Sequence, residues 1–138
     1  TCLMVADGEH RMEINIPDVH AEITEAFWRY TKALVANDID TVKALFWNNE
    51  HTLRYGTGEN LYGMDAIATF RDSQRGQKIE LEVTRLVITA FGSDFGTANC
   101  EMLREGGGTA RMSHTWVRFT AGWRIVAAHV SSGPAGAA

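Results

Sequence analysis

The apolar residues in the last part of the chain alternate with polar ones and predict a long β-hairpin. Two β-capable runs, residues 110–119 and 123–131, flank Thr120 and a turn at Ala121 and Gly122. A two-residue turn there fixes the register of the strands. This register puts six side chains on one face in three opposed pairs: Met112 with Ser131, His114 with His129, and Trp116 with Ala127. Because two histidines, a serine and a tryptophan share this face, we expect it to form the floor of a small-molecule pocket.

Helical spacing predicts three helices in the first part of the chain. Residues 17–36 carry apolar side chains three or four positions apart, which gives one buried stripe. Asp38 or Asp40 caps a short second helix. A third helix runs from Met64 to about Arg75. Between and after the helices, period-two alternation predicts strands at 51–56, 61–63, 79–91 and 95–104.

Helices early and strands late in the chain indicate an α+β fold. We expect a cone-shaped roll, in which a curved antiparallel β-sheet wraps around three helices and leaves a cavity with one open mouth. The predicted organisation is an N-terminal arm at residues 1–16, a single domain at 17–132 and a flexible tail at 133–138.

Composition narrows the classes of function. The chain has 138 residues and a net charge of −4, and its lysines and arginines form no basic stripe, so nucleic acid is not an expected partner. No apolar run has the length of a membrane span or a signal peptide, and a cytoplasmic protein is expected. Cys2 and Cys100 lie far apart and form no CxxC motif, which indicates reduced thiols.

Two side chains have the chemistry of a site for a small anion. Arg54 lies in the middle of a predicted strand, where an inward guanidinium would bind a ligand carboxylate through two parallel hydrogen bonds. The alternatives are a structural salt bridge or an outward, solvated arginine. Tyr30 lies in the apolar stripe of the first helix and could donate to an oxygen that gains negative charge. The alternative is a core tyrosine bonded to a backbone carbonyl.

Other residues are weaker candidates. Arg71 and Arg75 lie one turn apart and either rim the cavity or form a solvated helix face. Glu101 becomes a candidate base if its strand face is the inner one. His10, His20 and His51 have no spacing that would complete a zinc site with the hairpin histidines, so no metal is predicted. The predicted substrate-binding residues are His114, His129, Ser131, Trp116, Tyr55, Phe70 and Arg71, of which Trp116, Tyr55 and Phe70 are expected to be walls.

Two segments carry a family resemblance. The last strand, GWRIVAAHVS, is similar to that of many SnoaL-like members of the nuclear transport factor and ketosteroid isomerase superfamily, which has a cystatin-like cone fold. The segment LRYGTGENLYGMDAIATFRDSQRG resembles the small AtzH/HpxZ group. Together the resemblance covers about residues 17–131. In that group a glutamine often stands where this chain has His114, which bears on the substrate more than on the fold.

The resemblance implies a cofactor-independent amidohydrolase. Its substrate would be an N-carboxylated urea, such as 1,3-dicarboxyurea giving allophanate, in the breakdown of cyanuric acid, ureides or related nitrogen compounds. The catalytic residues of the group match Tyr30 and Arg54 here. The alternatives are a non-catalytic anion-binding or accessory subunit beside a pathway amidase, and an isomerase or dehydratase of the same fold.

A homodimer is also implied by the resemblance. The outer face of the sheet is the expected contact, through Thr115, Val117, Val126 and Val130. Trp28 falls off the buried stripe of the first helix and is expected to meet a second subunit or a flanking segment.

Overall fold

A computed structural model describes residues 3–7 and 10–134 of the chain. The helices are α1 (Pro17–Val35), α2 (Ile39–Ala44) and α3 (Met64–Ser73). The strands are β1 (Leu3–Asp7), β2 (His10–Ile14), β3 (Leu53–Tyr55), β4 (Asn60–Tyr62), β5 (Leu81–Phe91), β6 (Phe95–Arg104), β7 (Thr109–Phe119) and β8 (Gly122–Ser132). A short 3₁₀ turn, Glu105–Gly107, connects β6 to β7. The helices and the long strands agree with the sequence patterns to within a few residues. None of the described helices has the length and apolar character needed to cross a bilayer.

The strands form one eight-stranded sheet in the order β1-β2-β5-β6-β7-β8-β3-β4. All neighbours are antiparallel except β3 and β8, which run parallel. The three helices pack against one face of this sheet, and the expected α+β cone is confirmed. β1 and β2 pair with each other inside the predicted N-terminal arm, and β2 joins the sheet through one residue pair, Ile14 and Phe91.

Local sequence explains where the helices begin and end. Pro17 begins α1, where its missing N–H costs no hydrogen bond. The side chain of Asp38 caps α2 by accepting a hydrogen bond from the backbone N–H of Thr41. After α1, Asn37 donates to the carbonyl oxygen of Gln74 at 3.1 Å and accepts from the N–H of Gly76 at 2.8 Å. These two bonds tie the end of α1 to the end of α3, and so fix the distance between the two helices.

The predicted register of the last hairpin is wrong. The turn residues are Thr120 and Ala121, because Phe119 pairs with Gly122, whose φ of 121° suits glycine. A bulge then changes the register again, since Thr115 pairs with Ala127 while Trp116 pairs with Ile125.

As a result His129 faces Ser113, and His114 faces Ala128. In a β-sheet a shift of one residue moves a side chain to the opposite face. His114 is therefore buried inside the cone, and His129 is exposed on the outer face. The two histidines do not share a surface.

The core lies between the helices and the inner face of the sheet. On α1 the predicted stripe is buried, and Ile23, Phe27 and Tyr30 are at most 1% exposed. Val130 belongs to this inner face as well, so its predicted place on an outer contact surface is wrong. Thr115, Val117 and Val126 are half-buried, and the homodimer remains a prediction.

Candidate functional site

A cavity of about 400 Å³ opens between α1, α3 and the inner face of the sheet. Tyr30 comes from α1, Phe70 and Arg71 come from α3, and Arg54 comes from β3. The loop between β3 and β4 contributes Glu59. Further lining residues come from the segment before β5 and from the inner faces of β6, β7 and β8: Lys78, Ile79, Glu80, Leu81, Met102, Arg104, Met112 and Val130. The cavity therefore combines an apolar wall with several charged groups.

The centre of the cavity is a hydrogen bond between two buried side chains. Nη2 of Arg71 donates to the hydroxyl oxygen of Tyr30 at 2.6 Å, and Nη1 of Arg71 donates to Oε1 of Gln74 at 2.8 Å. Tyr30 is 1% exposed and Arg71 is 2% exposed. Nε of Arg71 is buried and has no partner among the described residues. One N–H of this buried cation therefore has no acceptor among the described residues.

Arg71 carries a charge that the fold does not neutralise directly. Burial lowers the pKa of its guanidinium below the ordinary value, and the nearby charge of Arg54 lowers it further. Tyr30 and Glu59 partly oppose this shift. No ion pair joins Arg71 to a carboxylate in the described part of the chain. A buried guanidinium without a carboxylate is a strong candidate for binding an anion.

The second cation, Arg54, is buried but paired. Its Nη1 donates to Oε1 of Glu59 at 2.7 Å. The ring of Phe70 lies 5.0 Å from the guanidinium carbon of Arg54 and 5.7 Å from that of Arg71. Phe70 is therefore a wall shared by both arginines, where its ring face attracts each cation. The guanidinium of Arg54 has five N–H donors, so the bond to Glu59 leaves others for a ligand.

The imidazole ring of His114 packs against the ring of Tyr30. The two rings are perpendicular, with centroids 4.9 Å apart, and His114 is 2% exposed. Burial lowers the pKa of His114 to about 3, and the charges of Arg71 and Arg54 add to the shift. The imidazole is therefore neutral at physiological pH, and its buried Nδ1 has no hydrogen-bond partner among the described residues.

We expect His114 to make the protein less stable in acid. Its pKa is about 6.5 when unfolded and about 3 when folded, so the unfolded chain binds more protons between these values. Above pH 6.5 the imidazole of His114 is neutral in both states, and the stability that depends on keeping it neutral is fully present. It is lost as the pH falls towards 3, by roughly 1.4 kcal/mol per pH unit. Denaturant unfolding of the wild type and His114→Gln at several pH values will measure it. An equally steep acid dependence in the variant would contradict this assignment.

Several predicted site residues lie elsewhere. His129, Ser131 and Tyr55 lie on the opposite face of the sheet from His114, since Tyr55 pairs with His129 on the neighbouring parallel strand. There the rings of Tyr55 and His129 are 5.6 Å apart. Glu101 is exposed and its strand neighbour Cys100 is buried, so the proposed base does not face the cavity.

Trp116 lies on the inner face but within the core, at 0% exposure, and does not line the cavity. Its ring centroid is 5.8 Å from that of His114. Of the predicted site residues, Tyr30, Arg54, Phe70 and Arg71 meet at the cavity, and His114 lies directly behind Tyr30.

Two residues that bond to the arginines of the site were missed in the sequence. Glu59 lies in a segment that has the composition of a turn, and Gln74 follows the last turn of α3. A signal for Glu59 exists in its spacing, because it stands five residues after Arg54 across a short hairpin. Antiparallel pairing of β3 and β4 brings such positions together.

Comparison with known proteins identifies the family and supports the fold. A family model described as AtzH-like matches residues 12–134. The chain belongs to the AtzH-like family. A protein of unknown function from Pectobacterium atrosepticum is 44% identical, with a TM-score of 0.84 over 88% of this chain and 95% of that one. A cystatin-like fold protein from Burkholderia xenovorans is 41% identical, with a TM-score of 0.82 over 88% and 96%.

More distant structures show the same fold. A candidate dehydratase of the NTF2-like family from Streptomyces avermitilis is 18% identical, with a TM-score of 0.74 over 86% of this chain and 97% of that one. This AtzH-like chain therefore has the fold of the NTF2-like proteins. A search of curated proteins gave no match.

Proposed function

We propose that this protein is a cytoplasmic, cofactor-independent amidohydrolase that acts on an N-carboxylated urea of the 1,3-dicarboxyurea type. The observation that carries the proposal is the buried Arg71–Tyr30 hydrogen bond beside Arg54 in one cavity. Such a substrate is small, flat and doubly anionic. A cavity of about 400 Å³ with two buried guanidinium groups, those of Arg54 and Arg71, suits it in size and in charge.

The two arginines would bind the two ends of the substrate. Arg54 has N–H groups other than the one bonded to Glu59, and Arg71 lines the same cavity without a carboxylate partner among the described residues. Charge-assisted hydrogen bonds of this kind contribute roughly 1.5–3 kcal/mol each. The shared ring of Phe70 keeps both guanidinium groups against a rigid surface. The substrate would therefore be held at both carboxylates, with its carbonyl and nitrogen atoms near Tyr30.

Tyr30 would act on the reacting atoms. Because Arg71 donates to the hydroxyl oxygen of Tyr30, the proton of that hydroxyl is free to be donated to the substrate. Formation of allophanate takes up one water, breaks the bond between one nitrogen and its carboxylate carbon, and releases that carbon as bicarbonate. Tyr30 can stabilise the oxygen that gains charge in this step, or transfer its proton to the leaving nitrogen.

A second function is favoured by one observation. The most buried carboxylate of the cavity, Glu59, is tied to Arg54, and Glu80 and Glu105 are more exposed. Among the described residues, the cavity has buried guanidinium groups but no buried carboxylate that is free of an ion pair. Such a cavity suits a protein that binds an anionic metabolite without converting it. An isomerase or dehydratase is less well supported, because these reactions need an internal base.

The proposal is tested by measuring turnover in the wild type and in Arg54→Ala. With 1,3-dicarboxyurea generated in the assay, we expect allophanate to form well above the uncatalysed rate. Removing the Arg54 guanidinium will raise KM by roughly a hundredfold, because a bidentate carboxylate contact is lost. Arg111→Ala is the matched control, since Arg111 is exposed and bonds to the backbone of Ser132.

Three results of this experiment decide between the functions. Turnover that is sensitive to Arg54 and insensitive to Arg111 supports the amidohydrolase. Ligand-dependent thermal stabilisation with no allophanate formation supports the binding protein instead. Equal KM values in both variants would contradict the assignment of Arg54 to substrate binding.

A further inference from the structure

The ion pair between Arg54 and Glu59 is built into an unusually close packing of the β3–β4 loop. The side chain of Arg54 is 9% exposed and that of Glu59 is 26% exposed, with 2.7 Å between Nη1 and Oε1. The backbone N–H of Gly56 donates to the carbonyl oxygen of Glu59 at 2.9 Å, which closes the loop. Both charged groups therefore lie over the backbone of one short turn.

Gly56 makes this packing possible. A Cβ atom at Gly56 would lie 2.6 Å from Cδ of Glu59 and 2.8 Å from Nη1 of Arg54. It would also overlap Oε1 of Glu59. The space that a side chain would fill is therefore taken by the ion pair. Gly58, two residues further along the same loop, has no atom within 4 Å of the corresponding position.

We propose that Glu59 and Gly56 position Arg54 for the ligand carboxylate. In this arrangement Glu59 binds one edge of the guanidinium, and the remaining N–H groups are presented to the cavity. The proposal rests on the proposed function only in taking the cavity as an anion site. Glu59 is a positioning residue, because it acts on the substrate through Arg54.

The charges of the cavity support this role. Arg54 and Arg71 repel each other, and the charge of Glu59 opposes the effect of Arg54 on Arg71. Without a fixed carboxylate, the long side chain of Arg54 would have several rotamers to choose from. Glu59 reduces both the repulsion and the freedom of Arg54 before a ligand arrives. Preorganisation of this kind raises affinity without adding a contact to the ligand.

Gly56→Ala separates geometry from charge, because it leaves every charge in place. We expect it to raise KM for the dicarboxylated urea, and the dissociation constant of malonate, about tenfold. Malonate, a small dicarboxylate, is used as a probe and its binding is measured by calorimetry. kcat should stay within about twofold, since Tyr30 and Arg71 are untouched. Gly58→Ala is the matched control and should change neither constant.

Glu59→Gln and Glu59→Ala complete the test. The amide oxygen introduced by Glu59→Gln can still accept the hydrogen bond from Arg54, so affinity should be no lower than in the wild type. Glu59→Ala removes the acceptor without adding atoms and should weaken binding as Gly56→Ala does. It replaces Gly56→Ala if that variant does not fold.

Two results would overturn the proposal. Equal malonate affinity in Gly56→Ala, Glu59→Ala and the wild type would show that Arg54 needs no support from the loop. A gain of affinity in Glu59→Ala would show that Glu59 competes with the ligand for Arg54. Failure of the proposed function looks different: malonate binding would follow the expected order while no variant, and no wild-type protein, forms allophanate.

Discussion

Tyr30→Phe will lower kcat by about a hundredfold to a thousandfold if the proposed reaction is correct, with little change in KM. The expected size is that of one preorganised donor aimed at developing charge. The phenyl ring keeps the contacts of Tyr30 with Phe46 and His114, whose ring centroids are 5.8 and 4.9 Å away. What is lost is the hydroxyl group, which accepts from Arg71 and has its own proton free for the substrate.

The control for this variant is Tyr55→Phe. Tyr55 is also a tyrosine next to a histidine ring, but it lies on the outer face of the sheet, where its hydroxyl is 3.3 Å from that of Tyr62. We expect wild-type kcat and KM for Tyr55→Phe. A near-wild-type kcat in folded Tyr30→Phe would remove Tyr30 from the mechanism. Circular dichroism and a melting curve on each variant exclude a loss of fold as the cause.

Arg71→Met will make the protein inactive and at the same time more stable. Arg71 is 2% exposed, pairs with no carboxylate among the described residues and leaves Nε unbonded. Replacing a buried, incompletely paired charge with an apolar side chain of similar length can stabilise a protein by about 1–4 kcal/mol. The loss of two hydrogen bonds, to Tyr30 and to Gln74, offsets part of this gain. We therefore expect a rise of about 1–2 kcal/mol in the free energy of unfolding.

Denaturant unfolding, malonate calorimetry and the turnover assay together measure this variant. Affinity for malonate should fall by roughly a hundredfold, because one of the two buried guanidinium groups of the cavity is gone. Arg75→Met is the control, since Arg75 lies one turn later, is half-exposed and is paired with Asp40 and Asp72. A loss of stability in Arg71→Met would show that the fold, and not only the ligand, depends on that charge. A gain of stability together with a loss of anion binding would instead show that Arg71 is kept for function at a cost in stability.

The parts of the site that follow from periodicity were predictable. Tyr30 lies in a stripe repeated every three or four residues, and a helix of this length leaves one choice for the buried face. Arg54 lies between Leu53 and Tyr55 in a strand. Alternation alone therefore does not show whether its side chain points to the inner or the outer face of the sheet. The structure decides it, because β3 pairs with the inner-facing Ala128 of β8. That pairing joins distant parts of the chain, and no local pattern contains it.

The hairpin shows where local patterns fail. An alternating pattern is compatible with two registers that differ by one residue. The face on which every side chain lies depends on which of the two registers forms. The turn at Thr120 and Ala121, together with the bulge near Val126, set the register. Neither had a distinct signal, since Gly122 is equally compatible with a place inside the turn. This is why the sequence pattern placed His129 and Ser131 at the site.

Arg71 and Glu59 show a different limit. Charged residues on a helix or in a turn are usually solvated, and that expectation is correct for Arg75. It is wrong for Arg71, because the end of α3 is tied against α1 through Asn37 and so faces the cavity. The sequence shows that a residue is charged, but only the packing of distant elements shows whether water reaches it.

The parallel pairing of β3 with β8 has a consequence for how the protein is made. Without β8, β3 and β4 are an isolated two-stranded hairpin, which is at best marginally stable in water. We therefore expect Arg54 to be held in place only after strand β8, Gly122–Ser132, has left the ribosome. A nascent chain without β8, or a chain that loses β8 to proteolysis, is expected to lack the candidate site. Because its key contacts span most of the chain, we also expect slow folding compared with a helical bundle of equal length.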